Sequence, residues 1–193
     1  CRSCGTSISR IYPTIEIITA CVLTAGFLRF GLTWEFLIFL VVGPALIVIA
    51  AIDIEHQIIP DIITLPGIVF GLAAGTYLVG FRESLFGLLL GGGIFYLIAE
   101  VYYRIRGNMG MGGGDIKYIA AVGALLGWKK VLLVIFIGAF LGAIVGLAGM
   151  TGKKLNPLSK IPFGPFLVAG TLITFFFGDK IINLYLTAMG LRF

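Results

Sequence analysis

Four of the nine carboxylates in this chain, Asp53, Glu55, Asp61 and Asp115, stand in two short polar stretches between long apolar runs. Asp53 follows the unbroken run IVIAAI and opens the stretch DIEHQIIPD. Asp115 closes the glycine-rich stretch RIRGNMGMGGGD. Ionisable groups at membrane depth are costly and usually serve a function. Two carboxylates brought together can share a proton, one acting as general acid and the other as base on a water that attacks a carbonyl. Asp53 ends one apolar run and meets the negative end of a helix dipole. Asp115 opens the next and meets a positive end. That opposite placement predicts Asp115 as the ionised base and Asp53 as its protonated partner. Each also has a plainer reading, Asp53 as a solvated helix-end charge and Asp115 as an N-cap. A cap needs no glycine run, however, and Gly110, Gly112, Gly113 and Gly114 crowd the residues before it. Glycine there admits close approach of backbone or substrate and permits positive φ.

The remaining polar residues carry weaker signals. Pro60 and Asp61 read as a helix start, where proline is tolerated and an acid is favoured by the dipole. His56 is the single histidine; with no well-placed serine beside it, it reads as a polar tether and not as the base of a nucleophilic triad. Cys1 and Cys4 have zinc-ligand spacing but supply half of a four-ligand site. Cys21 lies within an apolar run and reads as packing. Glu16, near the start of the first helix, either caps that helix electrostatically or faces a polar cavity.

Membrane helices must position these groups. The 193 residues are 59% hydrophobic and 12% charged, about half the charge usual for a soluble domain, and the mean hydropathy is +1.09. A water-soluble fold of this length has too little interior for that much apolar surface, whereas lipid solvates it. The runs are continuous and do not alternate, which predicts helices and not barrel strands. The expected architecture is all-α, a polytopic transmembrane bundle of about seven helices. They are placed near Tyr12–Phe30, Trp34–Ile52, Ile62–Gly80, Glu83–Tyr103, Ile116–Leu126, Lys129–Met150 and Phe163–Gly178. The fifth is too short to span fully, and Ile181–Leu191 reads as an interfacial or eighth piece. The net charge of +5 sits in short segments between apolar runs, so anionic lipid headgroups, and no nucleic acid, are the expected partner.

Alternation across seven helices puts 1–11, 53–61, 104–117 and 151–160 on one side. That side holds Arg2, Arg10, Arg104, Arg106, Lys117, Lys153, Lys154 and Lys160. The other holds Arg29, Arg82, Lys129, Lys130, Lys180 and Arg192. Eight against six favours the first side as cytoplasmic. Both polar stretches that bear the aspartates fall there and can meet.

Taken in order, C-x-x-C, ISRIYPTIE, AIDIEHQIIPD, GMGGGD followed by IK, and IPFGPF resemble the type IV prepilin peptidases, bifunctional leader peptidases and N-methyltransferases of bacterial inner membranes. The G-x-G-D motif is also shared with presenilin-like and preflagellin-processing proteases. The resemblance implies that Asp53 and Asp115 are catalytic and that Gly112 and Gly114 are motif glycines. It matches Tyr12, Pro13 and Glu16 to a Y-P-x-x-E motif. It implies prepilin or pseudopilin substrates cut on the cytoplasmic side after a glycine, and a new amino terminus methylated from S-adenosylmethionine. Peptide cleavage itself would need no cofactor. Residues 1–11 are expected to be the remnant of a cytoplasmic Cys-rich loop, with Cys1 and Cys4 as the candidate zinc ligands, and 12–193 the transmembrane aspartic peptidase domain. The chain begins at Cys1, which leads to the expectation of a processed or truncated piece. The rival functions are an ion or proton transporter using the aspartates as a relay, a non-enzymatic scaffold for pilus or secretion assembly, and a preflagellin-like signal peptidase.

Overall fold

The computed structural model describes residues 9, 11–108, 110–151 and 162–190. They form seven α-helices: α1 Ile11–Phe30, α2 Trp34–His56, α3 Asp61–Leu78, α4 Phe81–Arg106, α5 Gly113–Leu126, α6 Trp128–Thr151 and α7 Gly164–Ala188. All but α5 are long and apolar enough to cross a membrane. At 14 residues, α5 extends only about 21 Å, short of a hydrocarbon core of about 30 Å.

That short helix is the centre of the molecule. Eight of its last nine residues, Tyr118 to Leu126, are buried. Between membrane helices lipid removes most of the hydrophobic drive, so close packing of small residues carries the association. Glycines supply it here. A side chain at Gly71 would fall 2.7 Å from the Ala121 carbonyl oxygen, and one at Gly91 would fall 2.9 Å from that of Ile119. At Gly75 and Gly87 it would run into the carbonyls of Ala124 and Gly123. Ser84 Oγ, fully buried, donates to the Ala124 carbonyl at 2.6 Å and adds a bond that lipid cannot replace.

The other helices surround this trio. α7 packs on α6 and α2, and α1 packs on α2. Phe30, Phe39, Phe175 and Phe176 stack edge and face where α1, α2 and α7 meet. The two ends of the bundle differ. At one, Lys130 pairs with Asp179 at 2.9 Å and Arg29 Nε donates to the Phe176 carbonyl at 3.4 Å. At the other lie the α2–α3 turn and the starts of α5 and α7.

Several helix bounds depart from the sequence expectation. α2 continues through Asp53 to His56, so Asp53 stands inside the last turns of a helix and not in a loop. α5 starts at Gly113, which makes Asp115 its third residue and gives the N-cap to Gly112. The tail expected as a separate piece continues α7 without a break to Ala188. Gly178-Asp179-Lys180 looks like a boundary in sequence, but Asp179 turns sideways to Lys130 and leaves the backbone helical.

Candidate active site

The C-terminal turns of α2 present Asp53 inward, 5% exposed, while Ile54, Glu55 and His56 face out. Its carboxylate accepts the backbone N–H of Gly164 at 2.8 Å. Gly164 is the first residue of α7, and Pro165 follows it. The start of a helix carries free N–H groups and partial positive charge, a ready place for a carboxylate. A side chain at Gly164 would lie 2.7 Å from Asp53 Oδ2, so the contact requires glycine. The sequence of α2 by itself supplies only the negative end of its own dipole; the α7 terminus opposes it across the contact.

α2 ends abruptly. Gln57 adopts φ 55° and ψ 38° and its N–H closes on the Asp53 carbonyl. It is the one non-glycine residue with positive φ among those described, a conformation that costs roughly 1–2 kcal/mol. The turn brings Ile59, buried, back over the start of α5. A side chain at Gly114 would fall 2.7 Å from the Ile59 carbonyl oxygen and 2.8 Å from its Cβ. The glycine expectation thus holds for close approach and fails for positive φ: Gly110, Gly112, Gly113 and Gly114 all lie outside that region. Gly114 lets the α2–α3 turn rest on α5. Gly113 has open space where a side chain would be, beside Asp115.

Asp115 is half-buried. Burial pushes its carboxyl up, the nearby charge of Asp53 pushes it further, and the Gly112 backbone opposes both; it stands at about 6. This reverses the expectation of a lowered value drawn from the helix start. A helix terminus is worth roughly 0.3–1 kcal/mol at an exposed site, and desolvation beside a like charge outweighs it. The charge of Asp53 reaches Asp115, so the two aspartates lie near one another.

Pro60 is the N-cap of α3, at φ −69° and ψ 133°, and its carbonyl accepts from Ile63 and Thr64. Asp61, the first residue of α3, is bonded at 2.6 Å by Lys117 Nζ, two residues past Asp115. That exposed pair ties the starts of α3 and α5 together. Gly112 faces Asp115: a side chain there would begin 3.4 Å from Asp115 Oδ2, an ordinary contact. Glu16 lies exposed on α1, and among the described residues no hydrogen bond or ion pair joins it to the aspartates. Cys1 and Cys4 lie outside the described residues. Among those described, no group of three or more His, Cys, Asp or Glu is placed to hold a metal ion. Gly164 is a site residue that the sequence reading does not name. Its signal is the Gly-Pro pair in IPFGPF, which marks a helix start with an exposed N–H, but nothing local in sequence names the acceptor.

A bundle of apolar helices with two converging aspartates at one end defines a multi-pass membrane protein with an interfacial carboxylate pair. Residues 40–147 match the Type IV leader peptidase family. The chain is 35% identical over 186 residues to the prepilin leader peptidase/N-methyltransferase of Bacillus subtilis, covering 96% of this chain and 74% of that protein. It is 32% identical to the proteins of the same name from Xanthomonas campestris and Pseudomonas aeruginosa, covering 99% and 100% of this chain and 67% of each of them. No solved structure matches it. The chain belongs to the type IV leader peptidase family.

Proposed function

We propose that this chain is an aspartic endopeptidase that removes the leader of type IV prepilins or pseudopilins at the cytoplasmic face of a bacterial inner membrane. The observation that carries the reading is the pair itself: buried Asp53, fixed by the Gly164 N–H, lies close enough to Asp115 for its charge to add to the effect of burial, and together these raise that carboxyl to about 6. Near neutral pH such a pair holds one proton between its members at low cost. The ionised carboxylate takes a proton from water as the water oxygen bonds to the peptide carbonyl carbon. The protonated partner donates to the carbonyl oxygen. As the C–N bond breaks, a proton passes to the departing amine, leaving a carboxylic acid and a new amino terminus. The names of the relatives, each a prepilin leader peptidase/N-methyltransferase, supply the substrate. The eight-to-six bias of basic residues supplies the cytoplasmic orientation.

A transporter would place its acids near helix midpoints. This pair lies at one end of the bundle, beside the α2–α3 turn, which suits surface chemistry better than a relay. S-adenosylmethionine would supply the methyl group for the new amino terminus, and zinc would fall to Cys1 and Cys4; neither enters peptide cleavage. A cavity of about 440 Å³ beside the glycine stretch, lined by Tyr96, Glu100, Tyr103 and Met111, has room for a small molecule, but its one carboxylate already holds Arg104 at 2.7 Å.

The test is cleavage of a prepilin in liposomes by the wild type and by Asp53→Asn and Asp115→Asn, with products read by mass spectrometry. Cleavage after the leader glycine by the wild type, and loss of about 10³-fold or more in folded variants, is the expected outcome. Undiminished cleavage by either variant would overturn the assignment.

A further inference from the structure

A groove of about 400 Å³ runs between α2, α3 and α5. Its walls are almost wholly apolar. Along α2 they include Val42, Leu46 and Ile49, and along α5 Leu125, Val122 and Tyr118. The spacing is informative. Val42, Leu46, Ile49 and Asp53 repeat every three or four residues, as do Leu125, Val122, Tyr118 and Asp115. Residues so spaced share one face of a helix. The faces that line the groove are therefore the faces that carry the two aspartates, and the groove's last residues, Ile49 and Tyr118, stand one helical turn before the pair. It opens sideways: Val41 and Ile62 on its rims are 55% and 82% exposed.

Its floor also has an unexplained glycine. Gly71 and Gly75 on α3 are required by α5, whose carbonyls leave no room for a side chain. Gly67, one turn nearer the aspartates, is not: a side chain there would meet only Ala121 Cβ, at an ordinary 3.7 Å. Internal packing does not ask for glycine at 67. A partner lying in the groove does, because small residues let a second helix approach closely in lipid.

We infer that this groove receives the apolar helix of the substrate, entering from the lipid side between α2 and α3. This rests on the peptidase reading. A chain whose bond sits at the aspartates continues along an apolar wall inside the bilayer, where its backbone must satisfy its own hydrogen bonds, and a single helix is the form that does so. The cavity holds a ridge of side chains and not a whole helix of about 10 Å diameter. The substrate helix thus lies against α2 and α3 with one ridge inserted. Val41 precedes Asp53 by twelve residues, so it marks a level about 18 Å along the helix.

The experiment places the photo-crosslinker p-benzoylphenylalanine at Val41 and, as control, at Phe136, which is 69% exposed on α6. Each protein is reconstituted with an uncut prepilin in phosphatidylethanolamine–phosphatidylglycerol liposomes. Gly67→Leu is assayed beside them. The inference predicts a substrate adduct at Val41, mapped about twelve residues past the cut bond, none at Phe136, and a KM raised about tenfold in Gly67→Leu with kcat kept. Adducts to lipid alone at Val41, equal adducts at both positions, or an unchanged KM would overturn it. A wild type that cuts no prepilin overturns the peptidase reading itself; one that cuts without a Val41 adduct overturns only the groove.

Discussion

α5 meets its neighbours in two different ways, and the contrast accounts for how the site is built. Toward α3 and α4 its backbone is in contact with glycine after glycine, and Ser84 bonds its Ala124 carbonyl. Toward α2 it faces an open apolar groove. Asp115 therefore rides on a rigid platform. Asp53 rides on a helix that barely touches α3 and is tied instead to α7 through Gly164. One carboxylate is placed by backbone-to-glycine packing, the other by the packing of α2 on α1 and α7 together with a hydrogen bond to Gly164. The open side leaves a path to the pair, and the fixed side holds the geometry while that path is used.

Loss of either carboxylate is the largest effect expected. Asp53→Asn and Asp115→Asn each reduce prepilin cleavage about 10³-fold or more, and the double variant is no worse than either alone, because the two act as one unit. Multiplying losses in the double variant would show two independent sites. Next comes the hydrogen-bonded side. Gly164→Ala forces a methyl group against Asp53 Oδ2 and lowers kcat about 10²-fold, since misplacing a reacting group by about 1 Å has that consequence. Thermal unfolding in detergent should change little. The packed side gives the opposite signature. Gly87→Val drives a side chain into the Gly123 carbonyl and destabilises the bundle by about 1–3 kcal/mol, seen as a lowered unfolding midpoint, with activity lost only as the fold is lost. The smallest effect belongs to the surface. Lys117→Met breaks the exposed pair with Asp61 and shifts stability by about 0–1 kcal/mol, less at high salt.

Six of the helices are legible in the sequence, because each of their apolar runs is long enough to be nothing else in a bilayer, and α5 shows as a run too short to span. So is the convergence of Asp53 and Asp115, because counting helices puts their stretches at one end. The local setting of each is less legible. The polar letters DIEHQ suggest that a helix stops at Asp53, yet a helix continues through polar residues when one of its faces, here Glu55 and His56, can point outward. Sequence shows the dipole of the helix that Asp115 opens and so suggests a lowered carboxyl, whereas burial and the charge of Asp53 arise only on folding. The role of Gly164 depends on a contact between residues 111 positions apart. The close approach of Ile59 to Gly114 is of the same kind, a tertiary fact that a glycine run can hint at without naming the partner.

Two converging carboxylates that share a proton are the core of the proposed chemistry, and the titration of Asp115 tests them most directly. It can be followed by infrared difference spectroscopy with labelled aspartate, in the wild type and in Asp53→Asn. The folded midpoint of about 6 lies above the ordinary 3.8, so the native state holds this proton more tightly than the unfolded chain does. The group then disfavours folding increasingly as pH rises from about 4 through 6, and its penalty is relieved as pH falls. Removing the charge of Asp53 removes one cause of the shift. The expected result is a midpoint near 6 in the wild type and a lower one in Asp53→Asn. A midpoint near the ordinary value, or one that Asp53→Asn leaves unmoved, would contradict the coupled pair.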